Sequence, residues 1–549
     1  MFCYQCEQSA KGTGCTIKGV CGKDEPTAAL QDLLVHTAIG LSMIAWPARQ
    51  LGVQDAELDR YVLEALFTTV TNVNFDPEKI AGLVQQGAAL SEKALAAYLA
   101  ASKDQGVEPK FRAIPPHCVP AADIDGMIAQ GQALGIQKRF DKSGEVVTGL
   151  QELVLYGLKG TAAYADHALI LGKTDQAMSD FFLECLAFLG RNPQDVGALT
   201  GMALKVGEVN ITAMALLDAG NTETFGHPAP HAVRIEPKAG KAILVSGHEL
   251  LDLKRLLEQT EGMGINIYTH GEMLPAHGYP ELNKYPHLAG NYGGAWQDQA
   301  KEFDAFPGAI LMTTNCIQKP RESYKARIFT TGLVAWPGVE HVGSDDFGTV
   351  IAAALNAPGF DADGSDKTIL TGFGHNAVLG VAGAVVDAVK TGAIKHFFLI
   401  GGCDGAKSGR NYYTEMAEAV PDDAVILTLA CGKFRFNKME FGTIGGIPRL
   451  LDIGQCNDAY SAVVIAQALA EAFDTDVNGL PLSMVLSWYE QKAVCILLSL
   501  LHLGVRDIRL GPTLPAFVTP PVLQVLVDNF AIKPTGTVDG DIEACLAGH

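Results

Sequence analysis

The feature that most constrains the fold is a repeated one: six apolar, β-branched runs stop abruptly, and a metal-capable side chain follows each within one to three residues. The pairs are Ala242–Ser246 with His248, Ile265–Thr269 with Glu272, Ala309–Thr314 with Cys316, His396–Ile400 with Cys403, Val425–Ala430 with Cys431, and Leu450–Ile453 with Cys456. Short apolar runs bounded by turn residues read as buried parallel strands. In open α/β sheets, ligands bind outside the carboxyl ends of the strands. The pattern therefore predicts one large centre fed by thiol, imidazole and carboxylate groups together.

Before these runs the periodicity is helical. Thr27–Leu51, Asp55–Asn72, Asp76–Ser102, Glu145–Leu171, Asp175–Leu189 and Asp195–Asp218 carry apolar residues at three- and four-residue spacing, as amphipathic helices do. Several begin at an Asp or Thr cap and end near Gly or Asn, with the proline-rich stretch Lys103–Pro120 as a connection. From about Asn221–Pro228 strands alternate with helices, the signature of βαβ units. A softer break falls in Asn356–Asp366, before the run Lys367–Thr371. The expected architecture is a multidomain α and α/β chain: a helical-bundle region over 1–225, then Rossmann-like α/β domains with mainly parallel sheets over 226–365 and 366–549. The centre is expected at the interface of the last two.

The 549 residues carry 41 basic and 61 acidic side chains, a net charge of −20. Such a field repels phosphate backbones and anionic lipid, so neither nucleic acid nor a membrane is an expected partner. The densest apolar stretches, Ala493–Leu501 and Val378–Val386, are too short or too glycine-rich to span a bilayer. The chain opens on Met1-Phe2-Cys3 without an export signal, and a cytoplasmic location is expected. Twelve cysteines in such a setting favour metal or redox chemistry over a disulfide framework. Cys185 and Cys495 sit on apolar helical faces and read as core. Cys118 and Cys545 have no partner pattern.

Cys3, Cys6, Cys15 and Cys21 form C-x2-C-x8-C-x5-C with Gly12, Gly14, Gly19 and Gly22 interleaved. Four thiolates on a glycine-rich loop can close around one inorganic core. Zinc is the competitor, but structural zinc sites usually show two tight knuckles, and the second pair here is wide. The loop therefore favours an iron–sulfur cluster, of a nuclearity that spacing alone does not fix. The later cysteines are tied together only by their strand-end placement. Thiolates select iron–sulfur chemistry, whereas His248, Glu272 and Glu490 suit an iron with open positions. Glu490 lies in Ser487-Trp488-Tyr489-Glu490-Gln491-Lys492, at the start of an apolar helix rather than at a strand end, and an ordinary surface glutamate is its bland alternative. His270, His277 and His287 read as supporting or surface groups. A rival reading comes from Gly372-Phe373-Gly374-His375-Asn376-Ala377, which follows a strand and fits a dinucleotide fingerprint in outline.

These residues together resemble the hybrid cluster proteins, also called prismane proteins or hydroxylamine reductases, over essentially the whole chain. The resemblance rests on Met1-Phe2-Cys3-Tyr4-Gln5-Cys6-Glu7-Gln8, Thr13-Gly14-Cys15-Thr16, Cys21-Gly22-Lys23, Leu30-Gln31-Asp32-Leu33-Leu34 and the seven later loops. It implies one [4Fe-4S] cluster on Cys3, Cys6, Cys15 and Cys21. It also implies one hybrid [4Fe-2O-2S]-type cluster on His248, Glu272, Cys316, Cys403, Cys431, Cys456 and Glu490, with Cys403 a persulfide in oxidised protein and Lys492 beside the glutamate. The fold it implies is a helical domain and two Rossmann-like domains, similar to the carbon monoxide dehydrogenases.

The activity so implied is reduction of hydroxylamine to ammonia and water, with nitric oxide to nitrous oxide a related reaction. The expected partners are that small nitrogenous substrate and an electron-donor protein. Glu272, Glu490, Lys492 and Cys403 are the expected catalytic groups. A redox or nitric-oxide sensor using the same cluster is the alternative, and a carbon monoxide dehydrogenase-like enzyme a more distant one.

Overall fold

A computed structural model describes residues 1–114 and 118–548; Pro115, Pro116 and His117 of the proline-rich connection lie outside the described residues. After an irregular loop over residues 1–24, the chain to residue 225 is mainly helical: α1 (Glu25–Gln50), α2 (Ala56–Thr68), α3 (Pro77–Gln105), α4 (Ile124–Ala133), α5 (Ile136–Ile170), α6 (Gln176–Gly190) and α7 (Val196–Phe225). Aspartates start six of them: the carboxylates of Asp24, Asp55, Asp76, Asp123, Asp175 and Asp195 accept from free amides of the first turn, which satisfies donors the helix cannot. The periodicity did not reveal α4, and it began α5 too late. Gly144 (φ 76°, ψ 171°) kinks α5 near its start, and the eight residues before the kink carry a weaker pattern. Helix α1 is long and apolar enough to cross a membrane, but 78% of its most apolar window is buried inside the protein. It is a core helix here.

Two sheets follow, each six-stranded and wholly parallel. The first contains β1 (Lys241–Ser246), β2 (Ile265–His270), β3 (Leu288–Asn291), β4 (Ala309–Met312), β5 (Ile328–Thr330) and β6 (Glu340–His341) in the order β3-β2-β1-β4-β5-β6. The second contains β7 (His396–Gly402), β8 (Ala424–Leu429), β9 (Leu450–Gly454), β10 (Leu482–Ser487), β11 (Arg509–Leu510) and β12 (Lys533–Pro534) in the order β9-β8-β7-β10-β11-β12. Renumbered from its own first strand, each sheet runs 3-2-1-4-5-6, the doubly wound Rossmann order. Burial on both faces explains why the central strands read as unbroken apolar runs instead of alternating ones; every residue of β2 and β8 is buried.

The rival dinucleotide reading fails on this topology. Thr368–Thr371, the strand before Gly372, pairs antiparallel with His231–Arg234 in a separate two-stranded ribbon. It opens neither sheet, so the glycines do not stand at a βα crossover of a dinucleotide fold.

The helical region is pressed against the helix Gln491–His502. A Cβ on Gly160 of α5 would lie 2.3 Å from the Gln491 carbonyl oxygen, and one on Gly207 of α7 would lie 2.1 Å from that of Leu498. Only glycine permits so close an approach of backbones. This helix begins immediately after Glu490, so its seating fixes where that carboxylate points.

Candidate metal centre

In a doubly wound sheet the crevice lies where strand order reverses, between the first and fourth strands. In the first sheet His248 follows β1 and Cys316 follows β4; in the second, Cys403 follows β7 and Glu490 follows β10. The second strands contribute Glu272 and Cys431, and the third strand of the second sheet contributes Cys456. All seven residues line one cavity of about 370 Å³, joined by Thr71, Asn72, Trp296, Asn315, Ala430, Tyr489 and Lys492. Glu490 thus corrects its sequence reading. It lies three residues beyond β10 and is also the N-cap of the next helix, its Oε2 accepting from Lys492 N at 3.1 Å.

The loops of the two sheets interlock. Gln455 donates from Nε2 to the carbonyls of His248 (3.1 Å) and Glu272 (2.7 Å), and Cys456 N–H donates to Glu272 Oε2 at 2.9 Å. One ligand atom each of His248, Glu272 and Cys456 lies within 4.8 Å of the other two. Lys492 Nζ donates to His248 Nε2 at 3.0 Å and to Asn315 Oδ1 at 3.1 Å, and stands 3.9 Å from Glu490 Oε1. Trp296 and Gln297 donate to the Cys403 carbonyl at 3.3 and 3.1 Å. Cys316 (φ 76°), Ala430 (φ 61°) and Asn72 (φ 62°) hold left-handed backbone at the cavity wall, which costs a non-glycine residue about 1–3 kcal/mol and clusters at functional sites.

Burial dominates the electrostatics. It pushes the thiols of Cys316, Cys403 and Cys431 far up and that of Cys456 to about 12, and it raises both carboxyls, with Lys433 and Lys492 opposing it at Glu272 and Lys492 at Glu490. His248 is driven down by burial and by Lys492, so its imidazole is neutral, the form that binds metal. Burial disfavours the charge on Lys492, but the surrounding thiols and carboxyls outweigh it and keep the ammonium. Among the described residues Lys492 is the one cation lining the cavity. Four thiolates and two carboxylates cannot coexist against a single ammonium. A cationic metal assembly removes that conflict, since a coordinating thiol is held deprotonated. Glu272 Oε1 is also buried without a hydrogen-bond partner. The donor set therefore fits a polynuclear metal group.

Cys3, Cys6, Cys15 and Cys21 line a second cavity of about 330 Å³. Backbone hydrogen bonds between Cys3 and Cys15 (3.0 and 2.8 Å) close the loop, and Ala10 N–H donates to Cys15 Sγ at 3.3 Å. Thr71 lines both cavities. Glu7 N–H, next to Cys6, donates to the carbonyl of Tyr489, next to Glu490, at 2.8 Å. The two cysteine sets are thus separated by one layer of protein.

Sequence reasoning missed the wall residues Thr71, Asn72, Trp296, Asn315 and Tyr489. Asn315 and Tyr489 directly precede identified residues, and Trp296 lies five residues beyond β3, the edge strand of the first sheet. His270, His277 and His287 do not line the cavity. They bond to Ser246 and Glu302, to Thr269, and to Thr260 and the Leu257 carbonyl. Cys185 and Cys495 are fully buried core residues.

Gly402, the last residue of β7 and the one before Cys403, gives a first test of this geometry. Its φ is +114° and a Cβ there would lie 1.9 Å from the Ser487 carbonyl oxygen of β10. Gly402→Ala adds left-handed strain of about 1–3 kcal/mol to overpacking of about 1–3 kcal/mol. Gly409→Ala, with φ +75° and open space around it, carries the strain alone. Thermal denaturation should place Gly402→Ala well below Gly409→Ala; equal melting would contradict the close approach of β7 and β10.

Two doubly wound parallel sheets whose switch points share a thiol-, imidazole- and carboxylate-lined cavity define an α/β protein of the redox-cluster class. The chain belongs to the prismane/CO dehydrogenase family, whose model matches residues 1–543, and that family implies iron–sulfur clusters. It is 58% identical over 546 residues to a protein of Methanocella arvoryzae and 59% identical over 547 residues to one of Solidesulfovibrio magneticus, both named hydroxylamine reductase, with 100% of each chain covered. Among solved structures it is similar in fold to carbon monoxide dehydrogenase IV from Carboxydothermus hydrogenoformans, at 16% identity and a TM-score of 0.56, covering 97% of this chain and 89% of that one.

Proposed function

We propose that the protein is an oxidoreductase that reduces hydroxylamine: NH2OH + 2 e⁻ + 2 H⁺ → NH3 + H2O. The observation that carries this reading is the convergence of seven donors from two facing switch points on one cavity, in a chain about 58% identical to hydroxylamine reductases over its full length. His248, Glu272, Cys316, Cys403, Cys431, Cys456 and Glu490 would hold a hybrid iron–sulfur–oxygen cluster, and Cys3, Cys6, Cys15 and Cys21 a [4Fe-4S] cluster. When bound, the hybrid cluster supplies a Lewis-acidic iron and electron storage. The chain's own groups do the rest. Glu490 and Glu272 offer buried carboxylates whose raised affinity for protons suits them to pass protons to the substrate. Lys492, held between His248, Asn315 and Glu490, orients them and offsets their charge. Trp296 and Tyr489, edge to face at 4.8 Å, help exclude water. The thin wall at Thr71 and Glu7–Tyr489 is the route for electrons inward.

The test is anaerobic purification, metal analysis and steady-state assay with reduced methyl viologen. About eight irons per chain are expected, with ammonia formed in proportion to hydroxylamine consumed. Negligible turnover by protein with full iron content would overturn the enzyme in favour of the sensor, and nickel in the centre would favour carbon monoxide chemistry.

One observation favours a second substrate. An apolar pocket lies between the second sheet and the helices Ala459–Ala472 and Gln491–His502, its lining running from Leu503 and Val505 to Cys403 and Cys456. Nitric oxide, uncharged and weakly polar, enters such a space more readily than hydroxylamine, which must shed hydrogen bonds. The reaction 2 NO + 2 e⁻ + 2 H⁺ → N2O + H2O uses the same electrons and protons. Nitrous oxide measured by gas chromatography tests it.

A further inference from the structure

The outer side of the N-terminal cysteine loop is unlike the rest of this acidic chain. Between Cys15 and Cys21, Ile17 is 88% exposed and Val20 58%, and Ile17 is the most exposed large hydrophobic side chain among the described residues. Lys11 and Lys18 are exposed on the same loop. Lys319 packs with Trp336 against Gly22, extending the cationic rim from the first sheet. Among the described residues none of these three lysines has an ion-pair partner. The neighbouring carboxylates are engaged: Glu25 binds the N-terminal ammonium at 3.0 Å, and Asp24 caps α1 through Thr27 N at 2.9 Å. Cys21 itself is only half-buried, and Val20 lines the cavity of the four thiols, so this apolar tip lies directly beside them.

An apolar centre with a charged rim, small in area, is the anatomy of a transient electron-transfer contact. Beyond about 8 Å the chain's net charge of −20 is screened at physiological salt, which leaves the local lysines to orient a partner. We propose that this face docks an acidic one-electron carrier protein, a small iron–sulfur or flavin protein, with Ile17 and Val20 as the apolar contact and Lys11, Lys18 and Lys319 facing its carboxylates. This rests on the reading of Cys3, Cys6, Cys15 and Cys21 as the site where electrons enter. Each encounter oxidises the carrier by one electron and reduces the N-terminal site by one; two encounters supply the pair that the substrate consumes.

The experiment is anaerobic stopped-flow reduction of the full-length, iron-loaded protein by a reduced plant-type ferredoxin, read as bleaching of the protein's own iron–sulfur absorption. Because electron uptake is read directly, the absence of hydroxylamine turnover would leave this test intact. Ile17→Asp and Lys18→Glu should each slow uptake about tenfold at sub-saturating ferredoxin, while reduction by methyl viologen radical stays within about twofold of the parent. The parent rate should fall as salt is raised above about 0.1 M. Unchanged ferredoxin rates in both variants, equal losses with viologen, faster reduction by a basic cytochrome, or cosedimentation with anionic vesicles through Ile17 would each overturn the proposal.

Discussion

Glu490→Gln should lower hydroxylamine turnover by about 100-fold or more. The exchange keeps the shape of the side chain and an oxygen that can still cap the helix at Lys492 N, 3.1 Å away, so the fold has no reason to fail. It removes the negative charge 3.9 Å from the Lys492 ammonium and the only group at that position able to take up and release a proton. Lys492 would then lean wholly on His248 Nε2 and Asn315 Oδ1. Iron content, electron paramagnetic resonance and the ammonia yield should be measured on the same preparation. Normal turnover with unaltered spectra would sink the proton-handling role.

The second large effect lies outside the centre. Asp404, fully buried, accepts from Arg435 Nη2 at 2.6 Å and pairs with Arg410 Nε at 3.0 Å. Arg410 and Lys407 continue to Glu7 Oε1 at 2.7 and 3.1 Å, and the Thr513 hydroxyl also donates there. The network ties the residue after Cys403 to the residue after Cys6. Asp404→Ala leaves three cations facing one carboxylate and should destabilise the protein by about 3–5 kcal/mol, the usual result of breaking a buried pair from one side. Calorimetry should show the lowered transition, and limited proteolysis should cut sooner within the first 25 residues. A melting profile like the parent's would show that solvent or rearrangement replaces the lost carboxylate.

Much of this was legible in the residues because the relevant signals are local. An apolar run that ends at a cysteine or histidine needs no partner to be recognised, and β1, β2, β4, β7, β8 and β9 all lie where such runs were read. Aspartate caps are equally local. Strand β10 was missed because Leu482–Ser487 is only partly buried, with a mixed pattern, and Glu490, though named among the iron-capable residues, was consequently placed at a helix start and not at a strand end. The ribbon of His231–Arg234 with Thr368–Thr371 was misread for a different reason. Pairing across more than a hundred residues leaves no trace in the composition of either strand, and a glycine-rich turn looks alike after any strand. The wall of the cavity was hidden likewise: Thr71 is held by Gln491, whose Oε1 accepts from its N–H, and by Gln5, and Tyr489 by Glu7, whose N–H donates to its carbonyl, contacts between residues far apart in the chain.

The identical strand order of the two sheets has a consequence for biogenesis. Neither sheet encloses the cavity; His248 and Glu490 stand on opposite jaws, 242 positions apart in the chain. A nascent chain released only through the first sheet carries three of the seven donors, His248, Glu272 and Cys316. The metal group proposed for this cavity would meet its full donor set only once the second sheet has folded against the first.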